Sequence, residues 1–129
     1  MGLNSNNCPC GSGLSYKKCC QPFHTNKAKP KNALLLMRSR YSAYAFGKVK
    51  YIIKTTHPQN SEYSNLNETS IKEFCQSDFK KLEILEFIDG DTEAFVEFKA
   101  YIDDYILHEK SKFLKNGYEW KYLEGNFYE

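Results

Sequence analysis

Residues 94–102 read Ala94-Phe95-Val96-Glu97-Phe98-Lys99-Ala100-Tyr101-Ile102, and this run decides the fold class. In an extended chain Ala94, Val96, Phe98, Ala100 and Ile102 point to one side, while Phe95, Glu97, Lys99 and Tyr101 point to the other. A helix would scatter the same five apolar residues around its circumference. The run is therefore a half-buried strand. Working outward, Asp89-Gly90 precedes it, Asp103-Asp104 follows it and Asn116-Gly117 lies further on. Such pairs supply the backbone conformations that tight turns need, and Asn-Gly is the strongest hairpin signal of the three. Together they divide the C-terminal part into four strands joined by short connections, an antiparallel meander.

Upstream, the period lengthens. Leu34, Met37, Tyr41, Tyr44 and Ala45 recur at helical spacing within residues 33–46, and Gly47 is suited to end that helix. On this projection Arg38 falls inside the apolar stripe and Arg40 on its flank. Leu35, Leu36 and Phe46 form a second apolar patch that offers a seat for the cysteine module or for a second subunit. Val49, Ile52, Ile53 and Thr56 suggest a second, short helix limited by Pro58. Ser70 and Glu73 give a capping-box pattern ahead of a third. Helices first and strands afterwards imply an α+β architecture, with helices covering one face of a curved sheet.

Residues 21–32, rich in Lys and Pro, read as a linker. The 129 residues suffice for one main core and a small appendage. No stretch approaches the roughly 18 to 20 apolar residues of a membrane span, and the start lacks the pattern of a secretion signal, so the expected location is the cytoplasm. The formal net charge of +2 conceals a division. No Asp or Glu precedes Glu62, whereas ten Lys or Arg do; the remainder carries eight basic and sixteen acidic residues. Such a distribution fits either intramolecular packing of opposite charges or a basic face for an anionic partner.

Four of the five cysteines lie within residues 8–20 as two tight pairs, Cys8-Pro9-Cys10 and Cys19-Cys20. A reducing compartment and an odd count favour metal ligation over disulfides. Two pairs of thiolates supply the four corners of a tetrahedral site, and Gly11-Ser12-Gly13 between them permits a turn that aims amide hydrogens at the sulfurs. Gaps of one and zero residues are tighter than the usual two to four. His24, four residues beyond Cys20, is a possible substitute ligand.

The run Cys8-Pro9-Cys10-Gly11-Ser12-Gly13-Leu14-Ser15-Tyr16-Lys17-Lys18-Cys19-Cys20 resembles the SEC-C motif, which also ends the protein-translocation ATPase SecA. With Leu36-Met37-Arg38-Ser39-Arg40-Tyr41-Ser42-Ala43-Tyr44 and His108-Glu109-Lys110-Ser111-Lys112-Phe113, the chain resembles the YchJ family of small bacterial proteins, which couples that motif to a nuclear-transport-factor-2-like domain. The resemblance implies a metal-binding motif over residues 1–26 and a nuclear-transport-factor-2-like (cystatin-like) cone over residues 27–129. It implies Cys8, Cys10, Cys19 and Cys20 as ligands of zinc, with iron as the rival for thiolates. It also implies contact with a protein, the ribosome or anionic lipid.

Tyr41, His57, His108 and Glu109 are the polar groups one would nominate for acid-base work in a cone's pocket, but alternation puts His108 on the strand face opposite Glu109. No catalytic residues are assigned, and enzymatic activity is not expected. Cys75, beside Ile71 and Phe74, reads as core filling rather than as a nucleophile. The aromatics interleaved with lysines match no nucleic-acid signature, so specific nucleic-acid binding is not expected. If the face carrying Leu107, Glu109, Ser111 and Phe113 lies under the first helix, Arg38 and Glu109 form a buried pair. The expected function is a non-enzymatic metal-binding accessory protein whose knuckle contacts a partner; the alternative is small-ligand binding or catalysis in the pocket, with a purely structural metal.

Overall fold

The computed structural model describes residues 7–128; the outer ends of the two expected segments, residues 1–6 and Glu129, lie outside the described residues. Four helices, α1 (Gln21–His24), α2 (Ala33–Phe46), α3 (Val49–Lys54) and α4 (Glu68–Phe74), precede four strands, β1 (Phe79–Ile88), β2 (Glu93–Ile102), β3 (Tyr105–Asn116) and β4 (Glu119–Tyr128). The strands form one antiparallel sheet in the order β1-β2-β3-β4, so the architecture is α+β with a meander. Asp103 and Gly117 take positive φ at the β2–β3 and β3–β4 turns, as the turn pairs require.

Alternation along β2 holds throughout: Ala94, Val96, Phe98, Ala100 and Ile102 are all buried. Pairing sets Phe98 against Glu109, Val96 against Ser111 and Ala94 against Phe113, so β3 brings a carboxylate and a hydroxyl to the same inner face. Register shifts in β1 and β4 bend the sheet around the helix it supports.

α2 begins with the Asn32 side chain accepting from the Leu35 amide and ends at Gly47 with φ 69°. It is buried on more than one side. Leu36, Met37 and Tyr41 join the sheet residues in the main core, whereas Ser39 and Ala43 face α3, where the Ser39 hydroxyl lies 2.7 Å from the Tyr51 hydroxyl. Of the second apolar patch, Leu36 shares the main core with Cys8, Cys10 and Cys20, and Phe46 meets the Tyr16 ring edge-on, so this side of the helix seats the cysteine module. One expectation needs correction here. Arg40 and not Arg38 is the deeply buried arginine: its Nη1 donates to the Ile52 carbonyl at 3.0 Å and to the Thr55 hydroxyl at 2.7 Å.

The third expected helix is present, but Asn67 caps it by accepting from the Ser70 amide, so Ser70 sits inside the first turn. Asn competes as well as Ser for that role, and the one further upstream won. The expected linker is also more ordered than its composition suggests. Pro22 is tolerated in the first turn of α1, and His24 fastens that turn to α2 through Nε2 and the Ser39 carbonyl at 2.8 Å.

Candidate metal centre

The cysteine loop closes on itself through backbone hydrogen bonds. Cys8 donates to the Leu14 carbonyl at 2.9 Å and Gly11 to the Cys8 carbonyl at 3.2 Å. Gly11 and Gly13 both hold φ above 80°, a region that side chains rarely tolerate. A short 3-10 turn over Tyr16–Lys18 then reverses the chain and delivers Cys19 and Cys20 against the first pair.

The result is a cluster in which the sulfurs of Cys8, Cys10, Cys19 and Cys20 all lie within 4.8 Å of one another. Cys10 and Cys19 are 3.6 Å apart, and Cys19 and Cys20 3.8 Å. With zinc–sulfur bonds of about 2.3 Å, the edge of a thiolate tetrahedron is about 3.8 Å, so the donor set fits one such ion. Cys8, Cys10 and Cys20 are buried and Cys19 half-buried. Four sulfurs this close together cannot all ionise on their own. Burial and hydrogen bonding split them: the Cys10 thiol is pulled well down, chiefly because Cys20 and then Cys8 donate to it, while Cys20 as donor is pushed well up and Cys8 rises to about 11. A divalent cation removes that conflict by stabilising every thiolate at once.

Around the sulfurs stands a polar shell. The backbone amides of Cys10 and Ser12 favour the thiolates of Cys8 and Cys10, as the glycine-rich turn led one to expect. Ser12 Oγ lies 3.1 Å from Cys19 Sγ. Arg38 Nη1 donates to the Cys10 carbonyl at 2.7 Å and ties the loop to α2. His24 is not among the grouped donors. Its Nε2 faces the Ser39 carbonyl and its Nδ1 lies 2.6 Å from the Tyr16 hydroxyl, so both ring nitrogens are engaged. Donation from Nε2 to the carbonyl fixes Nδ1 as the acceptor from tyrosine, and burial lowers the imidazole pKa, favouring the neutral ring. The Tyr16 and Arg38 contacts were missed in the sequence, although Tyr16 stands inside the cysteine run and Arg38 one turn before Ser42.

The Arg38–Glu109 pair does not form. Arg38 is spent on the Cys10 carbonyl, while Glu109 Oε2 accepts from Ser111 at 2.6 Å and from Tyr122 at 3.1 Å. The Arg40 guanidinium stacks over the Tyr122 ring at 4.8 Å and is the cation nearer in function to this carboxylate. His108 sits on the outer face, 2.7 Å from Glu97, opposite Glu109 as alternation requires. His57 is buried at the end of α3, with its amide on the Tyr122 carbonyl and its Nδ1 accepting from the Gln59 amide. Of the nominated groups, Tyr41 and Glu109 are both buried and line one cavity between α2 and the sheet, whereas His57 lies beyond α3 and His108 on the outer face. Cys75 is half-buried beside Ile71 in the small cluster of Ala43, Tyr51 and Ile52.

Known proteins resemble this chain in sequence and in fold. Residues 32–125 match the family model described as "YchJ, middle NTF2-like domain", and residues 5–22 match the SEC-C motif. A UPF0225 protein of Vibrio parahaemolyticus is 40% identical over 130 residues, covering 95% of this chain and 76% of its own length. Another, from Pectobacterium carotovorum, is 40% identical over 133 residues, covering 94% and 83%. The solution structure of a SEC-C motif-containing protein from Rhodopseudomonas palustris superposes with a TM-score of 0.87 at 32% identity, covering 95% of this chain and 99% of that one. A crystal structure of a SEC-C motif-containing protein from Psychrobacter arcticus gives 0.83 at 30% identity, covering 100% and 86%.

Proposed function

The chain belongs to the YchJ family, and on that premise we propose that Cys8, Cys10, Cys19 and Cys20 hold one zinc ion in a non-enzymatic, cytoplasmic accessory protein whose knuckle contacts an anionic partner. The observation that carries the metal reading is the convergence of four sulfurs within 4.8 Å, with Cys8, Cys10 and Cys20 buried. Zinc suits them better than a hard cation, because thiolates are soft ligands and the set is complete without water. Closure by four protein ligands is also the mark of a structural rather than a catalytic site.

The partner reading rests on charge. Lys17, Lys18, Lys27, Lys29 and Lys31 are all exposed on and just after the knuckle, and no acidic residue precedes Glu62. A surface of this kind attracts ribosomal RNA, an acidic protein or anionic lipid headgroups through long-range attraction that salt screens. Among the described residues no helix is long and apolar enough to cross a membrane. On this reading residues 1–26 form the interacting module, and residues 27–129 form the domain that orients it.

Co-sedimentation with ribosomes, and in parallel with vesicles containing anionic lipid, tests the proposal over a salt series. Binding should weaken steeply as salt rises and should be lost in Cys8→Ser/Cys10→Ser protein. Binding that ignores both salt and the cysteines, or binding to neither target, would contradict it.

A further inference from the structure

Between α2 and the inner face of the sheet lies a cavity of about 220 Å³ that the metal reading does not use. Its walls are largely apolar, with Phe79, Phe98, Ile102 and Leu107 among them, yet Arg40, Tyr41 and Glu109 also line it. Each of those three is more than nine-tenths buried. A polar group held this deep is expected to be fully paired. These are not.

The Tyr41 hydroxyl is buried and has no hydrogen-bond partner among the described residues. Glu109 receives both of its hydrogen bonds, from Ser111 and Tyr122, on Oε2, which leaves Oε1 without a partner among those residues. Arg40 makes its hydrogen bonds through Nη1, leaving Nε and Nη2 in the same condition. Gly125 makes room for the carboxylate, since a Cβ at that position would collide with Glu109 Oε2. The sheet therefore holds this carboxylate in a fixed orientation, with one oxygen secured and the other left open.

From this geometry we infer that the cavity is a binding site for a small uncharged molecule with a ring-sized apolar body and one hydrogen-bond donor, an alcohol or a primary amide, received by Glu109 Oε1. An uncharged ligand follows from the lining, because Arg40 disfavours a cation and Glu109 an anion. Aromatic walls favour a flat apolar body. The inference is independent of the metal centre, because the cavity and the knuckle lie at separate sets of residues.

The test uses full-length, metal-replete, isotopically labelled protein at pH 8. It is titrated separately with 2-phenylethanol, which donates a hydrogen bond, and with acetophenone, which only accepts. Resonances of Ala100, Ile102 and Leu107 report occupancy. The alcohol should bind at least tenfold more tightly than the ketone, because an unmet acceptor in a largely apolar pocket penalises a ligand without a donor. Glu109→Gln keeps an oxygen for Ser111 and Tyr122 while placing an amide N–H where Oε1 was, so it should level or reverse that preference. Cavity resonances unmoved by both compounds up to their solubility limits would overturn the inference. So would equal binding of the two by the wild-type protein, or a preference that Glu109→Gln leaves intact.

Discussion

Arg38 reaches from the middle of α2 to the backbone carbonyl of Cys10 at 2.7 Å, so the helix that roofs the sheet also grips the cysteine loop. A hydrogen bond from a charged donor is worth about 1.5 to 3 kcal/mol when partly buried. Arg38→Met should therefore lower unfolding free energy by about 2 kcal/mol and weaken zinc retention against a competing chelator. Arg40→Met should cost about 3 kcal/mol, since it strips a buried cation from the Ile52 carbonyl and two threonine hydroxyls, yet leave zinc affinity unchanged. Denaturant unfolding and chelator competition on the two variants check this contrast.

Leu36 is fully buried where α2, the knuckle and the sheet meet. Leu36→Ala should destabilise the fold by about 2 to 5 kcal/mol, the range for a core cavity. A change under 1 kcal/mol in chemical denaturation would show that this packing is looser than described.

Glu109 supplies a dependence on pH whose sign follows from its burial. Desolvation raises its pKa above the ordinary 4.5, against the opposing effects of Ser111, Tyr122 and Arg40. Between 4.5 and the raised value the folded protein binds more protons than the unfolded chain, so this group's contribution to stability falls as pH rises through that window. Glu109→Gln abolishes the titration. The stability of the variant relative to wild type should therefore increase from pH 4.5 upward and then level off. Taking the difference between the two proteins at each pH cancels the acid sensitivity of the knuckle.

Gly125 and Glu109 should be coupled. Gly125→Ala places a methyl group against the carboxylate and should cost about 1 to 3 kcal/mol, the usual range for overpacking. Combining it with Glu109→Ala should recover part of that loss. A double-mutant cycle with no interaction energy would mean that the close approach is not maintained in solution.

Much of this was legible in the chain. Alternation in residues 94–102 and the turn pairs Asp103-Asp104 and Asn116-Gly117 fixed the meander, because strand period and turn chemistry are local properties. The four cysteines were legible for the same reason: they lie within thirteen residues and need only a turn to meet. What the projection of α2 could not show was which arginine is buried. Its stripe assumed one covered face, whereas α3 and the cysteine loop cover others, so Arg40 went inward to the carbonyl and hydroxyls ending α3 while Arg38 turned to Cys10. Likewise the Asn67 cap and the His24 anchor depend on partners brought in by tertiary packing, or on competition between equally good caps.

Everything proposed for the knuckle requires that its sulfurs share an ion. Elemental analysis of full-length protein purified without chelator tests this most directly, alongside Cys8→Ser/Cys10→Ser and Cys75→Ser variants. The account predicts one zinc per chain in the wild type and in Cys75→Ser, and its loss in the double variant. Metal-free wild type from metal-replete cells, or a double variant that keeps a full complement of zinc, would contradict it.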